Sequence, residues 1–96
     1  MIDFEWDGNK ARANLLKHGV SFEEAATVFD DPCARIIADP DHSLDEERFV
    51  IMGLSIKARE LVVCHYLRNS GSIVRIISAR KATKAETRQY WRYANA

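Results

Sequence analysis

The sequence predicts an α+β domain: two N-terminal helices, a four-stranded antiparallel sheet meander and a C-terminal helix. The helices are expected to pack on one sheet face and leave the other open. Three observations carry this. Helical spacing of apolar residues is confined to the stretch before Pro32 and the stretch after Thr83. Residues 48–56, 61–68 and 73–79 alternate instead. The connections between those runs are about four residues long, the length of antiparallel hairpin loops. Ninety-six residues read as one domain, 1–96. With 47% apolar and 29% charged residues, the chain has enough apolar surface to build a core.

Phe4-Glu5-Trp6 alternates and is compatible with an edge strand. Asp7 can cap a first helix by accepting from its orphan amides. In that helix Ala11, Leu15 and His18 share a face with Asn14 beside them, and Gly19 supplies a left-handed stop. Ser21 and Glu24 have the spacing of a capping box, and Val20 is placed to staple the helix they begin. Phe22, Ala25, Ala26 and Phe29 form its apolar stripe, and Pro32 closes it. Residues 33–38 read as a strand, and 39–47 as a polar, acidic loop containing His42. Strands follow at Arg48–Ile56, Leu61–Arg68 and Ile73–Ala79, with turns at 57–60 and 69–72. Thr83 opens the last helix, which runs to about Tyr93. Alternation puts Val62, Cys64, Tyr66 and Arg68 on one side of their strand; in the final strand it groups Ser78 with Arg80 and sets Arg75 opposite.

Charge is divided unevenly. Residues 1–50 hold 5 Lys/Arg against 12 Asp/Glu, whereas 51–96 hold 9 against 2, so the net charge of zero conceals a basic half. Such asymmetry suggests an anionic ligand, most plausibly nucleic acid. The strand Ile73–Ala79 runs into Arg80-Lys81 and then a helix, which can hold fixed positive charge against a phosphate. Arg68 and Arg80 end their strands, where two guanidiniums could converge on one phosphate; each could equally sit in an exposed ion pair. Lys17 and His18 either complement a helix C-terminus or, for His18, act in proton transfer. Tyr90 and Trp91 are either packing anchors or, for Tyr90, a group that stacks on a base. Glycine-rich phosphate loops, paired-carboxylate motifs, metal-ligand spacings and nucleophile elbows are missing, so no cofactor or metal is expected. Cys33 and Cys64, both in predicted strands, read as free thiols of a reducing cytoplasm. Neither a signal-peptide pattern nor a membrane span is expected.

Phe4-Glu5-Trp6-Asp7, Lys10, Asn14, Lys17-His18-Gly19-Val20 and Phe22 resemble the opening of the BrnT-like toxins. Arg48 with Gly53, the run Arg75–Thr83, and Glu86 with Tyr90 resemble the remainder, so the likeness covers nearly the whole chain. One departure is that the family's usual Glu-Arg pair in the last helix is here Glu86-Thr87, with Arg88 next. The resemblance implies a RelE-like fold and a ribonuclease toxin of a bacterial type II toxin–antitoxin pair. It also implies a cognate ribbon-helix-helix antitoxin, BrnA-like, through which alone operator DNA is bound. By motif, Lys17, His18, Arg68, Arg80 and Tyr90 carry the function. The expected reaction is metal-independent cleavage of RNA, with the ribose 2′-hydroxyl attacking the adjacent phosphate. Arg80 and Arg68 then stabilise the phosphate, His18 or Lys17 moves a proton or positions the substrate, and Tyr90 positions or stacks. The competing expectation is a non-catalytic module that binds a partner protein and, through it, DNA.

Overall fold

The computed structural model describes residues 2–38 and 48–95; the expected acidic loop and His42 lie outside the described residues. In chain order the elements are β1 (Asp3–Glu5), α1 (Gly8–His18), α2 (Phe22–Thr27), β2 (Arg35–Ala38), β3 (Arg48–Leu54), β4 (Glu60–Arg68), β5 (Ile73–Lys81) and α3 (Lys84–Ala94). A single 3₁₀ turn, Val28–Asp30, follows α2. The sheet has five strands in the order β1-β5-β4-β3-β2. This corrects the four-stranded antiparallel meander expected from the alternation. The meander is present as β2 to β5, but β1 joins its far edge and runs parallel to β5.

The helix boundaries follow from local chemistry. Asp7 accepts from Lys10 N at the start of α1, and Gly19 ends it at φ 69°, where a side chain would be strained. Ser21 accepts from Glu24 N to begin α2. Only half of the expected capping box forms, because the Glu24 carboxylate turns inward to Arg59 and Ser55. Arg59 also donates to Gly19 O at 3.1 Å, and Ile56 N donates to Thr27 Oγ1, so the β3–β4 hairpin is latched to both helices. The hydrogen bonds from Arg59 hold the buried Glu24 carboxyl below its ordinary range despite burial. Cys33 lies in the turn before β2 rather than in a strand, while Cys64 is in β4 as expected.

One sheet face buries Ile51, Leu61, Val63, Val74, Ile76 and Ala79 beneath Val20, Phe22, Ala25 and Val28. Phe4 and Trp6 extend this core: Phe4 meets Phe29 edge-on at 5.3 Å and Trp6 meets Phe22 at 6.0 Å. His65, 1% exposed, stands between Phe29 and Phe49, and burial lowers its pKa. Of the three helices, α1 and α2 pack on this face. Contrary to expectation α3 lies against the other face, where Trp91 donates to Glu60 and Arg80 to Glu86.

Candidate functional site

The register of β4 against β5 decides which cations share a surface. Arg80 pairs with Val62 and Ser78 with Cys64, but His65 then pairs with Ile76, leaving Ile77 as an extra residue. A bulge of this kind reverses the alternation. Burial agrees, since the buried positions of β5 are 74, 76 and then 79. Arg75, paired with Tyr66, therefore points to the same face as Arg80, not to the opposite one. Through the same register Arg35 (opposite Met52) and Arg48 (opposite Tyr66) join them. Arg68, Arg75 and Arg80 complete a set of five arginines on the face away from α1 and α2. Two of the five come from the acidic half of the chain, so folding concentrates positive charge further than sequence position suggests.

Arg68 and Arg80 do not converge. Arg80 lies opposite Val62, six residues from Arg68 along β4, a separation of about 20 Å at the rise of a strand. Arg68 pairs with Arg75 instead: both donate to one oxygen of Glu5, at 2.6 and 2.8 Å. The Arg75 hydrogen bond is the main reason the Glu5 carboxyl sits below its usual range.

Arg80 is held by the start of α3. Thr83 and Glu86 form a complete capping box, with Glu86 N donating to Thr83 Oγ1 and Thr83 N to Glu86 Oε1. The same carboxylate accepts from Arg80 Nη1 at 2.7 Å and Nη2 at 3.0 Å. Its pKa is pulled down to about 2, chiefly by Arg80, so Glu86 is a poor base and a good anchor. Arg80 Nη1 also donates to Lys81 O. Among the described residues, Nε–H and one Nη2–H of the five guanidinium N–H groups have no acceptor, and together they form the fork that matches a phosphate.

The other three expected positions are elsewhere. Lys17 is exposed and His18 half-buried at the end of α1, and neither side chain has a hydrogen-bonding partner among the described residues. Asn14, one turn earlier, contacts Ala79, so this corner is at the Arg80 end of the sheet but on the opposite face. Tyr90 is 2% exposed, and its hydroxyl donates to Asp31 Oδ2 at 2.7 Å. Burial and the Asp31 charge raise the Tyr90 pKa, so it stays a phenol. Burial alone would raise the Asp31 carboxyl, but donors from Leu54 N, Tyr90 and Cys33 N hold it low. Tyr90 is thus the packing anchor of α3.

Between α3 and the arginine face runs a groove of about 560 Å³. Ile37, Val50, Met52 and Val62 make its apolar floor, Glu86, Gln89 and Tyr93 its helical wall, and Arg35 and Arg92 its cations. The Arg35 guanidinium lies over the Tyr93 ring at 4.6 Å. Arg35, Arg75, Gln89 and Tyr93 were missed in the sequence; only the bulge and the placement of α3 bring them into view. Among the described residues no group of three or more His, Cys, Asp or Glu side chains could hold a metal ion.

The chain thus joins an α+β fold to a basic sheet face beside its C-terminal helix. The chain belongs to the family described as ribonuclease toxin, BrnT, of type II toxin–antitoxin systems, whose model matches residues 6–86. Among solved structures it is similar to the Brucella abortus ribonuclease toxin, BrnT, with a TM-score of 0.67 over 88% of this chain and 100% of that one. At 19% identity this likeness establishes the shared fold. No curated protein matches the sequence.

Proposed function

We propose that this chain is a cytoplasmic, metal-independent endoribonuclease that inhibits translation and is neutralised by a cognate antitoxin. The observation that carries the reading is Arg80. It is oriented by Glu86 at a helix start, with a two-donor edge left over, on a sheet face that bears four further arginines. The 2′-hydroxyl of RNA attacks its own 3′-phosphate, forming a P–O bond to the 2′-oxygen as the bond to the 5′-oxygen breaks. The hydroxyl proton leaves with a base and the departing oxygen is protonated, giving a 2′,3′-cyclic phosphate and a 5′-hydroxyl. Negative charge builds on the phosphorane oxygens, and a guanidinium already in place stabilises it without reorganising. In this reading the arginine supplies the charge that a metal ion would otherwise provide.

The 20 Å separation changes the division of labour expected from the motif. Arg68 and Arg75 hold a phosphate several nucleotides from the one at Arg80 rather than the same one, displacing Glu5 as they do. Tyr90 acts by fixing α3, and with it Glu86 and Arg80. His18 and Lys17, on the opposite face, are proposed to position RNA that turns over the end of the sheet. The antitoxin is taken to be a BrnA-like ribbon-helix-helix protein that carries the complex to operator DNA. The test is incubation of purified protein with single-stranded RNA in EDTA. Products ending in 2′,3′-cyclic phosphate, and a block by 2′-deoxy substitution at the cleaved nucleotide, support the reading. Intact RNA on folded protein and on ribosome-bound message overturns it.

A further inference from the structure

We propose that the groove between α3 and the arginine face binds a single RNA base, the one beside the cleaved phosphate, and so sets sequence preference. This rests on the ribonuclease reading above. Its floor is apolar and spans three adjacent strands, β2, β3 and β4, which suits the flat face of a base. Above it the Arg35 guanidinium and the Tyr93 ring already form a stacked pair at 4.6 Å, and both planes are surfaces on which bases stack. Gln89 brings a donor and an acceptor together, as reading a base edge requires. The volume of about 560 Å³ lies within the roughly 300–1,000 Å³ of small-molecule sites.

Glu86 fixes the relation to the cleaved bond. Glu86 lines the groove and its carboxylate holds Arg80, so a nucleotide whose phosphate meets the free edge of Arg80 has its base beside the groove. Arg35 and Arg92 leave this lining net positive once Glu86 is matched by Arg80, which favours a nucleotide over an apolar peptide. The remaining exposure of Tyr93, at 51%, keeps the ring accessible.

Binding can be measured without cleavage. The four ribonucleoside 3′-monophosphates, with inorganic phosphate as the reference, are titrated into the intact protein and followed by NMR. At least one nucleotide is expected to bind about tenfold tighter than phosphate, the scale of one stacked base, and to shift the resonances of Met52, Gln89 and Tyr93. Tyr93→Ala, at an exposed position, should remove that advantage, and Gln89→Ala should narrow the discrimination among bases. Equal affinity for nucleotides and phosphate overturns the proposal. So does binding that persists in both Tyr93→Ala and Met52→Trp. If Met52→Trp spares nucleotide binding but weakens antitoxin capture, the groove is a protein-docking surface and the proposal falls. Nucleotide binding by a protein that never cleaves RNA sinks the ribonuclease reading and leaves the groove assignment; cleavage without nucleotide binding does the reverse.

Discussion

The carboxamide of Asn14 stands beyond the end of β1, where the outer edge of β5 would otherwise be left unpaired. Its oxygen accepts from Ala79 N at 3.0 Å and its amide nitrogen donates to Ala79 O at 2.8 Å and Val20 O at 2.9 Å. One buried side chain thus substitutes for a strand and ties α1 to the residue before Arg80. Asn14→Ala strips partners from three buried backbone groups, each costing about 1–3 kcal/mol if unmet. We expect a loss of about 3 kcal/mol in urea unfolding; a loss below about 0.5 kcal/mol would mean that the contact is incidental. Glu86 offers a second test at this scale. Its folded pKa of about 2 lies below the unfolded 4.5, so its stabilisation is complete above about pH 4.5 and disappears as pH falls through about 2. Glu86→Gln should be less stable than wild type at pH 7, and the gap should close under acid. A gap independent of pH would contradict the charge-assisted pairing with Arg80.

At the scale of elements, Gly53 shows why β3 needs a residue without a side chain. A Cβ there would lie 2.8 Å from Asp31 Oδ2, 2.9 Å from Ala34 Cβ and 3.2 Å from Val28 Cγ1. Gly53→Ala should cost about 1–3 kcal/mol by overpacking, read from thermal unfolding, and it also disturbs the Asp31 that anchors Tyr90. An unchanged melting temperature would refute that packing account. Most elements were legible because their signals are local: Asp7, Gly19 and Ser21 mark helix ends, and alternation marks β3 and β4, although α2 stops at Thr27, ahead of the stop expected at Pro32. What escaped was non-local or masked. The bulge at Ile77 is hidden because Ile76 and Ile77 are both apolar, so the change of face leaves no gap in hydrophobicity. β1 has only three residues, and its parallel partner is some seventy positions away. The face taken by α3 depends on Tyr90 reaching Asp31, fifty-nine residues earlier. The candidate site was therefore only partly readable: Arg80 was singled out, but its company on the sheet was not.

At the scale of the molecule the sheet is two-sided, with the apolar core on one side and five strand arginines on the other. That division predicts a strong salt dependence of RNA binding, because each phosphate contact releases counterions. Arg68→Ala and Arg75→Ala should weaken binding to all single-stranded sequences alike, and each should lower the salt slope by about 0.7, the single-strand value per contact. An unaltered slope would confine those arginines to their pairing with Glu5. The role of Arg80 is read from the cleavage rate of single-stranded RNA in EDTA by wild type and by Arg80→Ala. Removing a preorganised group that stabilises transition-state charge costs about 10²–10³ in rate. Wild type is expected to cleave and the variant to lose activity by that factor, with melting temperatures showing both proteins folded. Equal rates from two folded proteins would contradict that role.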